Sequence, residues 1–258
     1  TIMKKVSFVI PCYRSEHTLP HVVKEIREKM QELTQYEYDI FLVNDASPDN
    51  TMGTIRDLCD KYDNIKGIGF ARNFGQHAAL MAGLRHSDGD YVVCLDDDGQ
   101  TPADEVDKLL GKLEEGFDAV YASYEHKQHS TFRNMGSKVN ELMTRMMLDK
   151  PADLYISSYF AVKRFVVEDM IRYENSYPYV IGLVLRATKN ITNVAGCHQG
   201  KRGRQFRIYI EKAAGLMVQR IYRILGETAA DCHYTGCGMC RYGLPLWNLY
   251  HYQASGES

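Results

Sequence analysis

The amino-acid sequence predicts an α/β fold of the Rossmann-like, doubly wound type, with a mostly parallel sheet and helices on both faces. Short apolar runs rich in β-formers alternate with segments whose apolar residues recur at helical spacing. The connections are short, which favours parallel strands joined by helical crossovers. Polar residues follow three of the predicted strands, and ligands of such sheets bind beyond the carboxyl ends of the strands.

The first part of the chain alternates regularly between the two kinds of element. Residues 5–10 (KVSFVI) predict a buried strand, and residues 19–33 predict an amphipathic helix. Residues 38–43 (YDIFLV) predict a second strand. The turn and cap residues at 47–51 predict the start of a second helix, and residues 65–70 predict a third strand.

The alternation continues through the middle of the chain. Residues 75–85 predict a helix rich in small residues, in which we expect Gly75 and Gly83 to allow close helix packing. The remaining predictions are strands at residues 90–95, 118–123 and 156–162, and helices at residues 102–115, 131–148 and 165–173.

An acidic segment, Asp96, Asp97 and Asp98, follows the apolar strand at residues 90–95. Adjacent carboxylates repel one another and need a cationic partner. Alternate side chains of an extended segment share a face, so we expect Asp96 and Asp98 to point one way and Asp97 the other. Two hard oxygen ligands on one face suit Mg²⁺ or Mn²⁺ bridging a diphosphate. The alternative is a plain acidic turn, but residues 11–13 and 44–45 also bring polar strand ends to this edge.

Composition limits the classes of function. The chain has 258 residues, 45% of them hydrophobic, and a formal net charge of −2, so nothing indicates nucleic-acid binding. No run of about 18 apolar residues indicates a transmembrane helix, and the N-terminus does not have the pattern of a signal peptide. Cys12, Cys59 and Cys94 are expected to be reduced, buried thiols.

Four segments together resemble glycosyltransferase family 2, which has the GT-A fold: VIPCYRSEHTL, VNDASPDNT, ARNFGQHAALMAGL and CLDDDGQTP. Within that family, the third segment and the later TFRNMGSKVNELMTR are most similar to the polyprenyl-phosphate glycosyltransferases. That group includes dolichol-phosphate mannose synthase and the undecaprenyl-phosphate 4-deoxy-4-formamido-arabinose transferases. The resemblance covers residues 4–194, and we predict a catalytic domain over residues 1–194.

The resemblance implies roles for individual residues at a nucleotide-sugar site. Pro11, Tyr13 and Glu16 would line the nucleotide site, Asp45 would read the base, and Arg72 would lie near the base or the diphosphate. Each has a plainer alternative: Glu16 as a charge at a helix start, Asp45 as a cap of the following turn, and Arg72 as a surface ion pair.

Other roles concern the metal and the reaction. Asp96 and Asp98 would hold the metal, with Asp98 counted as catalytic, and Gln100 would support their loop. Arg133 would approach the acceptor or donor phosphates, and Asp153 would be a base or an acceptor-site residue. The sequence departs from the family pattern nearby, because Tyr159-Phe160 stands where Phe-Arg is usual.

The reaction implied is a metal-dependent, inverting transfer of a sugar from a nucleotide-diphosphate donor to a polyprenyl (undecaprenyl-type) phosphate, with Mg²⁺ or Mn²⁺ as cofactor. A family 2 enzyme that attacks a saccharide hydroxyl is one alternative, and a nucleotide-sugar-binding remnant disabled by its tail is another. The family acts at the cytoplasmic side of the membrane, and we expect this chain to be cytoplasmic or peripheral.

The resemblance stops at residues 195–258. Synonymous codons for residues 211–224 can be chosen so that reading one nucleotide later gives KKLLGLWFNGFTGF, which resembles the family's membrane-proximal helix. We therefore predict a frameshift near residues 193–200 and an atypical tail in place of the membrane-proximal and transmembrane region. On this reading, the spacing of Cys232, His233, Cys237 and Cys240 arises from the wrong frame and does not indicate a zinc site.

Overall fold

The structure is a computed structural model, and it describes residues 3–99, 103–123 and 154–195. The strands are β1 Lys4–Cys12, β2 Tyr36–Asn44, β3 Ile65–Gly69, β4 Tyr91–Cys94, β5 Ala119–Ser123, β6 Phe160–Lys163 and β7 Ile191–Ala195. The helices are α1 Leu19–Glu32, α2 Thr51–Lys61, α3 Gln76–His86, α4 Val106–Glu114, α5 Arg164–Ile171 and α6 Val180–Ala187, with a 3₁₀ turn at Ala103–Glu105.

The seven strands form one sheet in the order β3-β2-β1-β4-β6-β5-β7. All neighbouring strands are parallel except that β6 runs antiparallel to both β4 and β5. In β1, Cys12 pairs with Asn44 of β2, and Val9 pairs with Cys94 of β4. The carboxyl ends of β2, β1 and β4 therefore lie side by side at one edge of the sheet.

Helices cover both faces of the sheet, as the sequence predicts for a doubly wound fold. Successive side chains of a strand point to opposite faces. In β1, Phe8 and Ile10 accordingly join a core with α1, α2 and α4, whereas Val9 joins a second core with α3, α5 and α6. In β4, Val93 belongs to the first core and Cys94 to the second.

Gly75, just before α3, and Gly83, within α3, have different roles. A Cβ at Gly83 would lie 2.3 Å from Cγ1 of Val9, so this glycine lets the helix pack closely on β1. Gly75 has φ of +91° and nothing within 4 Å of a built Cβ. The prediction of close packing is therefore confirmed for Gly83 and wrong for Gly75, whose backbone conformation before α3 is the reason for a glycine.

The sequence predicts most elements but not the order of the strands beyond β4, which is β6, β5 and β7. The strand expected at residues 156–162 begins only at Phe160, and it lies between β4 and β5, so these two are not neighbours. Helix α6 and strand β7 were not predicted. The helix expected at residues 131–148 lies outside the described residues. Within the described ranges, no helix is long and apolar enough to cross a bilayer.

Candidate active site

The acidic segment lies beside the end of β1, at the edge where the carboxyl ends of three strands meet. The backbone N–H of Tyr13 donates to Oδ2 of Asp97 over 2.9 Å, and the hydroxyl of Ser15 donates to the same oxygen. The backbone N–H of Asp45, just after β2, donates to the carbonyl of Cys12 over 3.1 Å. These contacts join the three polar strand ends that the sequence indicates.

Asp96 has a different set of partners from Asp97, in agreement with the expected alternation of the side chains. Nε2 of Gln76, the first residue of α3, donates to Oδ1 of Asp96 over 2.6 Å. The hydroxyl of Ser158, two residues before β6, donates to Oδ2. Sequence reasoning missed Gln76, Ser15 and Ser158 as site residues.

Burial dominates the electrostatics of the acidic segment. Burial raises the pKa of Asp96 to about 6, with a smaller contribution in the same direction from Asp98 and Asp97, while the hydrogen bonds from Ser158 and Gln76 oppose it. Burial also raises the pKa of Asp97 to about 6, against the hydrogen bonds from Ser15 and Tyr13. The surroundings thus disfavour the negative charge that this segment carries at neutral pH.

The donor set fits a divalent cation. The hydrogen-bond donors on Asp96 and Asp97 in the described part of the chain are neutral, so they do not compensate the negative charge of these two carboxylates. Carboxylate oxygens are the ligands that Mg²⁺ and Mn²⁺ prefer. Within the described residues, no group of three or more His, Cys, Asp or Glu side chains could form a larger shell. Mg²⁺ is commonly bound by one or two carboxylates together with substrate phosphates.

Asp45 holds the loop that leads into α3. Its Oδ1 accepts the backbone N–H of Phe74 over 2.7 Å, and its Oδ2 accepts that of Gly75 over 2.8 Å. Nδ2 of Asn73 also donates to the backbone carbonyl of Asp45 over 3.2 Å. A role in reading the base stays a prediction, and the carboxylate has a structural role other than the cap of the following turn that the sequence offers as the alternative.

Glu16, in the loop between β1 and α1, contacts the start of α2. Its Oε2 accepts the backbone N–H of Asn50, the residue before α2, over 2.8 Å. The neighbouring Asp49 accepts hydrogen bonds from the side chains of Ser47 and Thr51. Burial opposes ionisation of Asp49, but these hydrogen bonds outweigh it and lower its pKa to about 2. The position of Glu16 agrees with a helix-start charge, and its role toward a nucleotide stays a prediction.

Two loops adjoining residues that contact the acidic segment, one after β1 and one before α3, carry exposed aromatic rings and arginines. Tyr13 is 45% exposed, and the guanidinium of Arg14 lies 5.6 Å from its ring centre. Phe74 is 52% exposed, and the guanidinium of Arg72 lies 4.6 Å from its ring centre. Arg72 therefore stacks on an aromatic ring. Pro11, in contrast, is buried within β1.

Three predicted site residues, Gln100, Arg133 and Asp153, lie outside the described residues. The described chain resumes at residue 154. Tyr159 and Phe160, which depart from the family pattern, are both buried, and Phe160 pairs with Cys94 in the sheet. An arginine at the position of Phe160 would place a charge in the second core, so the departure from the pattern suits this packing.

The cysteine thiols near the site lie in surroundings that disfavour the thiolate form. Cys12 and Cys94 are free and buried, and burial raises the pKa of both thiols. Cys59 is free but only half-buried, so the expectation of burial holds for two of the three.

Residues 7–171 match the sequence model of a protein family, which is described as "Glycosyl transferase family 2". A curated protein of Proteus mirabilis, undecaprenyl-phosphate 4-deoxy-4-formamido-L-arabinose transferase, is 34% identical over 171 residues, which are 66% of this chain and 52% of that protein. The protein of the same name from Yersinia enterocolitica is 34% identical over 194 residues, which are 74% of this chain and 59% of that protein. The chain thus spans little more than half the length of these relatives.

Solved structures share the fold at lower identity. Mannosyl-3-phosphoglycerate synthase from Rubrobacter xylanophilus superposes with a TM-score of 0.58 at 17% identity, covering 94% of this chain and 79% of that one. Glucosyl-3-phosphoglycerate synthase from Mycobacterium tuberculosis, crystallised with Mn²⁺, UDP and phosphoglyceric acid, gives a TM-score of 0.56 at 20% identity, covering 77% and 72%. These similarities concern the fold alone.

Proposed function

The chain belongs to glycosyltransferase family 2, and we propose that it transfers a sugar from a nucleotide-diphosphate donor to a polyprenyl phosphate. The acceptor is inferred from the undecaprenyl-phosphate transferases to which the chain is 34% identical. The chain spans 52% of the length of one such relative. Both the complete transfer reaction and its lipid acceptor are therefore proposed for this chain. We assign the catalytic domain to residues 1–194.

The observation that carries the proposal is the acidic segment after β4, half-buried beside the end of β1, with neutral hydrogen-bond donors on Asp96 and Asp97. Asp96 and Asp98 would hold Mg²⁺ or Mn²⁺, which as a Lewis acid neutralises the charge of the leaving diphosphate. Asp97 keeps the segment attached to β1 through Tyr13 and Ser15. Crystals of a structural neighbour with Mn²⁺ and UDP support this choice of donor and cation.

The other predicted site residues at the carboxyl ends of the strands would bind the nucleotide-sugar donor. The exposed ring of Tyr13 offers a face for a base, and Arg72 offers positive charge near the diphosphate. Asp45, held against the loop before α3, and Glu16, which contacts the start of α2, would line the nucleotide site, whereas Pro11 is buried within β1. Gln100 would support the acidic loop, and Arg133 would approach the phosphates.

In the reaction, an oxygen of the acceptor phosphate forms a bond to the anomeric carbon of the sugar. The bond from that carbon to the diphosphate breaks, and its electron pair leaves with the nucleoside diphosphate. One displacement inverts the configuration. A phosphate acceptor is already anionic at pH 7, so no strong base is needed. Asp153 would accordingly orient the acceptor or the sugar.

Thermal unfolding with UDP-sugars and GDP-sugars, each with and without Mn²⁺, tests the donor half of the proposal. A ligand that binds only the folded state raises the unfolding temperature. We expect one nucleotide class to raise it, and more strongly with Mn²⁺. If neither class stabilises the protein with Mn²⁺, the nucleotide-sugar site is refuted.

Transfer of labelled sugar to undecaprenyl phosphate in detergent tests the acceptor half. The chain is compared with a version in which residues after 193 are read in the adjacent frame. If the tail replaces the membrane-proximal part of the acceptor site, the restored version transfers sugar faster. Transfer to a saccharide hydroxyl, with none to the lipid phosphate in either version, would refute the proposed acceptor.

A further inference from the structure

We propose that Gln76 and Ser158 are positioning residues that hold the carboxylate of Asp96 in the orientation in which it binds a divalent cation. The inference rests on the proposed function. Gln76 donates to Oδ1 of Asp96 over 2.6 Å, and Ser158 donates to Oδ2. One donor comes from α3 and the other from the segment before β6, so the carboxylate plane is fixed from two elements.

The start of α3, which carries Gln76, is held in place by Asp45. The two residues before Gln76 donate their backbone N–H groups to Asp45 over 2.7 and 2.8 Å. Gly75 has φ of +91°, a conformation that brings the chain from this anchored loop into α3. A carboxylate only accepts hydrogen bonds, so the amide of Gln76 presents its NH₂ group to Asp96.

The segment that carries Ser158 is anchored to the sheet by Asn193 in β7. Oδ1 of Asn193 accepts the backbone N–H of Tyr155 over 2.8 Å, and its Nδ2 donates to the carbonyl of Tyr155 over 2.6 Å. The same Nδ2 lies 3.2 Å from the carbonyl of Tyr121 in β5. Ser157, next to Ser158, donates its hydroxyl to the carbonyl of Tyr159 over 2.8 Å and so does not contact Asp96.

Two neutral donors suit a carboxylate that must also bind a cation. Each carboxylate oxygen has two lone pairs, so one hydrogen bond on each leaves a lone pair for a metal. An arginine or lysine in either place would compensate the charge and compete with the cation. Outer partners of this kind commonly change metal affinity by about 10- to 100-fold when they are removed.

Mn²⁺ titration followed by electron paramagnetic resonance of the free ion, once with UDP and once with GDP present, measures the effect without an activity assay. We expect Ser158→Ala and Gln76→Met to weaken Mn²⁺ binding about 10-fold or more. Ser158→Thr, which keeps the hydroxyl, should restore affinity close to wild type. Ser157→Ala is the matched control, because it removes a neighbouring hydroxyl that does not touch Asp96.

The outcomes separate this inference from the proposed function. If wild type binds Mn²⁺ and both Ser158→Ala and Gln76→Met bind it equally well, the positioning role is refuted and the transferase proposal stands. If wild type itself binds Mn²⁺ neither with UDP nor with GDP, both are refuted. Unfolding temperatures are measured in parallel, and if Ser158→Ala does not fold, the Gln76→Met titration alone decides.

Discussion

The backbone N–H of Tyr13 donates a hydrogen bond to Oδ2 of Asp97 over 2.9 Å, and the hydroxyl of Ser15 donates to the same oxygen. A single oxygen of Asp97 therefore joins the acidic segment to the end of β1. An asparagine whose amide oxygen takes this position keeps both contacts while removing the charge. This geometry separates the structural role of Asp97 from the cost of its ionisation.

We predict that Asp97→Asn stabilises the cation-free protein at pH 7. Burial raises the pKa of Asp97 from its ordinary 3.8 to about 6. Its contribution to stability is thus complete below pH 3.8 and is lost as the pH rises through about 6. The variant should gain on the order of 1–3 kcal/mol at pH 7 and nothing at pH 4. Urea unfolding at both pH values measures this, with the exposed Asp57→Asn as the control. Equal stability of variant and wild type at pH 7 would contradict the argument.

For the metal, we predict that Asp96→Asn and Asp98→Asn each lower turnover by orders of magnitude and keep the fold. Loss of either negative charge weakens binding of the cation that neutralises the leaving group. Transfer assays at saturating Mn²⁺, with circular dichroism to check folding, provide the test. Asp57→Asn, on the exposed face of α2, should retain activity. Wild-type turnover in Asp96→Asn or Asp98→Asn would refute the metal-site assignment.

We expect Asp45→Ala to destabilise the protein even without nucleotide. The substitution leaves the backbone N–H groups of Phe74 and Gly75 without their acceptors, at a cost of about 1–3 kcal/mol. The loop before α3 should loosen, and nucleotide binding should weaken as a consequence. Thermal unfolding of the ligand-free protein distinguishes this from base reading alone. Were Asp45 only a base-reading residue, the variant would unfold at the wild-type temperature when no nucleotide is present.

The close approach of α3 to β1 gives a stability prediction with a matched control. In Gly83→Ala the new Cβ would meet Cγ1 of Val9 at 2.3 Å, so helix and strand must move apart. We expect a loss of about 1–3 kcal/mol. Gly111, within α4, has nothing within 4 Å of a built Cβ. Gly111→Ala should instead raise stability by about 0.5–1 kcal/mol. Denaturant unfolding of both variants is the measurement, and a neutral Gly83→Ala would contradict the packing.

The parts of the fold that follow from local patterns could be predicted from the sequence. Strands β1, β2 and β4 are continuous apolar runs because both of their faces are covered, and such runs end visibly where Tyr13, Asn44 and Asp96 begin. Because parallel strands place these ends at one edge, the rim of the site also followed from the sequence.

The order of strands and the contacts across the site could not be predicted, because they depend on residues far apart in the chain. Nothing local in residues 160–163 indicates insertion between β4 and β5 in antiparallel orientation. The partners of Asp96 lie 20 residues before it, at Gln76, and 62 residues after it, at Ser158. The role of Gly75 could not be predicted either, because the sequence does not distinguish a glycine needed for close packing from one needed for a positive φ.

His77, the residue after Gln76 in α3, is held neutral by burial. Its ring centre lies 5.3 Å from that of Tyr179, and its Nδ1 is buried with no hydrogen-bond partner among the described residues. Burial lowers its pKa from 6.5 to about 4. The stability contributed by neutral His77 is therefore complete above pH 6.5 and is lost as the pH falls toward 4.

We expect His77→Phe, which keeps an aromatic ring against Tyr179, to be more acid-resistant than wild type. The difference in unfolding free energy between variant and wild type should grow in favour of the variant as the pH falls from 6.5 to 4. Urea unfolding across this range is the measurement. His86→Phe is the control, because His86 lies exposed at the end of the same helix. A constant difference between His77→Phe and wild type across the range would show that His77 does not titrate on unfolding.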